Sequence, residues 1–176
     1  MQEVFLTSEN RIRSTVNIDN NLESKFLQSA IREAQEVYLQ EVLGTALLNK
    51  LKSLIADNVI DEQDNEKYKT LVEQCQLFLA YQVIAQVCII SAVKVSNGGL
   101  QTNRDDNLDN IGLADSFILK DYYEKKADFF KSRLQAFLYK NRKDYPELCE
   151  STCADIKATL DNAASTGLYL GGRRGK

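Results

Sequence analysis

Residues 77–93 read LFLAYQVIAQVCIISAV, seventeen positions that Gln82 and Gln86 interrupt one helical turn apart. A helix that is apolar nearly all the way round does not rest on a surface; other elements must enclose it. The flanking sequence supplies amphipathic helices able to do so. The expected fold is therefore all-α: a bundle of about four main helices around a central apolar helix, with an extended C-terminal tail. A spanning helix needs about 20 apolar residues. This run falls at the lower limit, carries two glutamines and has Glu73 and Gln74 where basic anchors would stand. A buried bundle helix is the expectation, with no membrane partner.

The first helix is expected over Leu22–Leu43, after a polar stretch anchored by Ile12, Val16 and Ile18 and a cap at Asp19-Asn20-Asn21. Leu22, Phe26, Ala30, Ile31, Ala34, Val37, Tyr38 and Val42 recur at helical spacing, while Glu23, Lys25, Arg32, Glu33, Glu36 and Glu41 mark a wet face. Gly44 breaks this helix, and Thr45 is placed to cap a second, Ala46–Ala56, with Leu47, Leu48, Leu51, Leu54 and Ile55 on one side. The third, Glu66–Ser96, contains the apolar run and is expected to stop at Asn97-Gly98-Gly99.

Leu100–Asp115 has no period, is rich in acid at Asp105, Asp106 and Asp109, and reads as a long loop. The fourth helix, Ser116–Asn141, has an apolar stripe wider than one packing face requires, including Tyr122, Tyr123, Phe129 and Phe130. Two readings stand: a core helix with aromatic edges, or a helix shared with a neighbouring subunit. The single proline, Pro146, turns the chain. Residues 1–147 are thus expected to form the bundle domain with an N-terminal arm. Residues 148–176 form a tail in which Gly167, Leu168, Tyr169, Leu170, Gly171 and Gly172 precede Arg173 and Arg174. Such a segment does not fold alone; it either orders on a partner or stays a solvated terminus.

Net charge −3 and a pI near 5.1 argue against a whole-domain nucleic-acid binder. Met1–Ser8 lacks the basic and apolar regions of a signal peptide. Histidine is absent, which removes the commonest general base and the usual triads, as well as Glu-x-x-His metal pairs. No phosphate-binding glycine loop is present. Cys149 and Cys153 cannot form a zinc site alone, and Cys75 and Cys88 lie roughly 20 Å apart along one helix. No enzyme, cofactor or metal is expected, and binding or assembly is the remaining class.

The order of segments resembles the head-to-tail connector (neck adaptor) proteins of tailed bacteriophages. The resemblance lies in Ile18-Asp19-Asn20-Asn21-Leu22 through Ala30-Ile31-Arg32-Glu33-Ala34-Gln35, then Tyr38-Leu39-Gln40-Glu41-Val42-Leu43-Gly44. It continues through Asn97-Gly98-Gly99-Leu100-Gln101 to Lys140-Asn141-Arg142-Lys143-Asp144-Tyr145-Pro146. The pattern is nearest to versions from phages of Bacteroidetes hosts, including crAss-like phages. It implies a homo-oligomeric ring below the portal, expected to be dodecameric, assembled in the host cytoplasm and retained in the virion. The partners implied are the portal protein and tail or further neck proteins, with packaged DNA passing through without sequence-specific binding. Gly167–Arg174 then matches a portal-docking tail, and Asp105, Asp106 and Asp109 suit a channel-lining loop that repels DNA. Tyr122, Tyr123, Phe129 and Phe130 become the subunit interface. The alternatives are a cytosolic regulatory bundle and a neighbouring neck component such as a tail-completion protein.

Overall fold

The computed structural model describes residues 3–16, 18, 22–96, 99–102, 113–148 and 156–160. The fold is all-α. Helices α1 (Glu9–Thr15), α2 (Ser24–Glu33), α3 (Gln40–Ala56), α4 (Glu66–Ile90) and α5 (Leu113–Lys140) follow one another, and a π-helical turn, Ala34–Leu39, joins α2 to α3. A two-stranded hairpin, β1 (Val93–Ser96) and β2 (Gly99–Thr102), separates α4 from α5.

The apolar run becomes the enclosed helix. Leu71, Cys75, Phe78, Leu79, Ala80, Val83 and Ala85 of α4 are all buried, with α5, α2, the π turn and α1 packed around them. Each large aliphatic side chain sealed from water in this way contributes about 1.5–3 kcal/mol. The helical stretch Gln63–Ile90 is long and apolar enough to cross a membrane by length and composition, and its residues supply the core here. The two interrupting glutamines lie inside. Gln86 donates Nε2 to the Tyr38 hydroxyl at 2.9 Å, whereas Gln82 Nε2 has no partner among the described residues.

Helix α4 ends at Ile90, six residues before the expected Ser96. The Val93 end of the apolar run is extended instead, pairing antiparallel with Gly99–Thr102, Ser96 opposite Gly99. β-branched valines at 93 and 95 favour a pleated strand, and Asn97 and Gly98 of the expected stop lie outside the described residues. The expected loop Leu100–Asp115 therefore opens as a strand, and α5 begins at Leu113.

The Leu22–Leu43 helix is divided. Ala30, Ile31 and Ala34 are buried as their spacing requires, but Leu27 is buried in preference to Phe26, Val37 is 58 % exposed and Gln35 is sealed in its place. A π turn takes in an extra residue and rotates the face that follows it. The buried Gln35 has a structural task. Its Oε1 accepts from the Leu6 N–H at 2.8 Å, and its Nε2 donates to the Val4 carbonyl at 3.0 Å. Gln76 of α4 donates to the Leu6 carbonyl at 2.9 Å. Two glutamines thus tie down an N-terminal arm whose Leu6 enters the core.

Gly44 does interrupt the helix, as expected, with φ 74° and ψ 162° inside α3. Thr45 has a different task from the expected cap: its hydroxyl accepts from Gln40 Nε2 at 2.9 Å and from the Ile156 N–H at 3.3 Å. The second contact brings residues of the C-terminal segment onto the bundle. Residues 156–160 lie along the Gly44 break, and Leu160 packs against the core.

Candidate interaction surface

Helix α5 steps about 100° per residue, so neighbouring aromatic residues face different ways. Tyr123 and Phe130 turn inward: both pack against the core, and Phe130 stacks on Tyr81 of α4 with ring centres 5.1 Å apart and planes 7° from parallel. Tyr122 and Phe129 turn outward, at 51 % and 61 % exposure. The four residues expected to share one interface are thus divided into a packed pair and an exposed pair. Ile118, 67 % exposed, continues the outward strip at i, i+4 and i+11 spacing with Tyr122 and Phe129, and Phe117 flanks it. Ile118 belongs with the outward pair on spacing alone, which a grouping by residue type passes over.

Cations flank the strip. Lys126 Nζ sits 4.2 Å from the centre of the Tyr122 ring, and its pKa is raised, first by hydrogen bonding to Tyr122. The Arg133 guanidinium lies 6.0 Å from the Phe129 ring centre and 5.8 Å from that of Phe130. Such contacts hold the outward rings against their own helix. On the far side of α5, Lys131 donates to Glu41 of α3 at 2.9 Å and Ala127, Leu134 and Leu138 fill the core.

Among the described residues no group of three or more histidine, cysteine or acidic side chains is arranged to hold a metal ion. Cys75 is fully buried and Cys88 partly so, and burial raises both thiol pKa values, which disfavours the reactive thiolate. Asp105, Asp106 and Asp109 lie outside the described residues, as do Gly167, Leu168, Tyr169, Leu170, Gly171, Gly172, Arg173 and Arg174. Cys149 and Cys153 lie outside them too.

The class defined by this geometry is an all-α bundle with an exposed, cation-flanked aromatic strip along its last long helix. The chain belongs to DUF6712, a family of unknown function whose model matches residues 39–158. That span opens at the end of the π turn and includes α3, α4 and α5 together with the first residues of the segment lying on Gly44. No curated protein and no solved structure matches the chain.

Proposed function

We propose that this protein is a structural virion component, a head-to-tail connector that forms a homo-oligomeric ring below the portal. The observation that carries the reading is the strip Ile118–Tyr122–Phe129. It is a row of large apolar side chains left in water by a bundle with enough other apolar residues to complete its core. Large apolar side chains left exposed along one helix face support a contact site there. A ring contact joins two different faces of identical subunits, and the strip supplies one of them.

The resemblance in segment order supplies the rest of the reading. The ring extends the DNA channel, docks the tail and meets the portal through the Gly167–Arg174 tail, with the acidic loop at Asp105, Asp106 and Asp109 facing DNA. The native mass of the full chain, alone and mixed with a candidate portal ring, tests the proposal. The expected result is a saturating complex with one copy per portal subunit. A monomer or dimer that ignores the portal would instead fit a helical regulatory module.

A further inference from the structure

In an unbroken α3 the Thr45 N–H would donate to the Glu41 carbonyl one turn back. The Gly44 backbone separates that pair, and a second piece of chain occupies the gap. Thr45 N–H donates to the Ile156 carbonyl at 3.0 Å, and Thr159 N–H donates to the Glu41 carbonyl at 3.0 Å. Two further bonds hold the same segment: Gln135 Nε2 of α5 to the Thr159 carbonyl at 2.6 Å, and the Ile156 N–H to the Thr45 hydroxyl at 3.3 Å. All four reach the segment's main chain. A β-carbon built on Gly44 would stand 2.9 Å from the Ala158 nitrogen and 3.0 Å from the Ile156 carbonyl oxygen, so only glycine admits this approach.

The segment's side chains contribute less. Ile156 is 52 % exposed, Lys157 and Thr159 are exposed, and only Ala158 and Leu160 are half-buried. The cleft therefore recognises a main chain with a small residue at its centre and an apolar residue two positions later. Main-chain bonds supply this recognition and few side-chain pockets add to it.

The geometry points to an exchangeable site: in the assembled state, the opened Glu41–Thr45 pair of one copy receives the 156–160 segment of a second copy. The bonds made within a chain and between chains are the same, so their energies cancel. The balance is then set by local concentration, which assembly raises. Segment and cleft are also different surfaces, and a donor–acceptor pair of that kind propagates around a ring without being self-complementary. The inference rests on the proposed ring only in requiring that copies associate.

The test places a photoreactive p-benzoylphenylalanine at Ile156, an exposed position, in the full chain. Two differently tagged populations are assembled together and irradiated. The expected product is a covalent link between tags, mapping to residues 41–45 of the acceptor. Crosslinks confined to single chains within an oligomer overturn exchange and leave the ring reading standing. No oligomer at any concentration removes both. Gly44→Val in the acceptor population should lower the intermolecular yield at least tenfold. Thr159→Pro in the donor, which deletes one main-chain bond without touching the core, should lower it severalfold. Undiminished yields in both variants overturn the cleft as the site.

Discussion

Glu41 and Thr45 stand one helical turn apart in α3 and do not bond to each other: each is bonded to the segment 156–160 instead, Glu41 through its carbonyl and Thr45 through its N–H. The last described residues of the chain thus complete a backbone ladder begun more than a hundred residues earlier. Gly44 holds the ladder open with a φ/ψ pair, 74° and 162°, that residues with a side chain essentially do not adopt.

Gly44→Ala should therefore cost about 2–3 kcal/mol, combining backbone strain with lost hydrogen bonds. Chemical denaturation measures the loss, and hydrogen exchange at the Thr159 amide locates it. Unchanged stability with unchanged Thr159 protection would show that the cleft does not depend on glycine.

Gln35 supports the opposite end of the chain. Gln35→Ala leaves the Leu6 N–H and the Val4 carbonyl without their partner, and should destabilise the fold by about 1–3 kcal/mol. The Leu6 amide should exchange faster while amides in the middle of α4 lose only what the global change dictates. Equal loss of protection everywhere would mean that the arm does not open separately from the bundle.

Phe129 and Phe130 are neighbours with opposite expected effects. Phe129→Asp should leave the melting temperature nearly unchanged and reduce self-association in sedimentation, because its ring is in water. Phe130→Ala removes a ring stacked on Tyr81 and should cost about 1–3 kcal/mol, short of the full core penalty because the site is only half-buried. Wild-type association in Phe129→Asp would remove the strip from the interface.

Tyr145 makes stability depend on alkaline pH. Its ring is buried between Tyr68 and Phe137, and its hydroxyl donates to the Lys67 carbonyl at 2.8 Å. Burial, then the nearby Asp144 charge, pushes its pKa from 10.0 up to about 12. Below pH 10 both folded and unfolded states hold the proton and the stabilisation is whole. As pH rises towards 12 the unfolded chain releases its proton first, and stability is lost. Ultraviolet titration should show Tyr145 ionising late, together with unfolding, and Tyr145→Phe should abolish that step. A late step that persists in Tyr145→Phe belongs to another tyrosine.

Much of this architecture follows from spacing. Ala30, Ile31, Ala34, Leu47 and Leu51 are buried where a period of 3.6 residues puts them, and Glu23, Arg32, Glu33 and Glu41 face water for the same reason, but Leu27 fills the core where Phe26 was expected. Ile12 and Val16 are buried anchors as their spacing suggested, although the polar stretch that holds them forms a short helix, α1, that was not expected. Spacing failed where the helix was irregular. The π turn sent Val37 outward and Gln35 inward, and no residue type announces such a turn. The aromatic content of α5 was legible, but not which rings the core would take: Tyr123 and Phe130 pack against it, while Tyr122 and Phe129 are exposed.

The sequence by itself determined that the chain is helical, that the apolar run beginning at residue 77 supplies the enclosed helix and that Gly44 breaks a helix, because each depends on local hydrophobic pattern or on one residue's conformational freedom; the end of that helix at Ile90 rather than Ser96 was decided by strand pairing. Only the tertiary structure decided what fills that break, which glutamines tie down the N-terminal arm and which aromatic rings remain in water. Those outcomes join residues far apart in sequence, Glu41 and Thr159 through main-chain groups alone and Gln35 and Leu6 through a side-chain amide that meets a main-chain N–H. Their geometry exists only once the helices are packed.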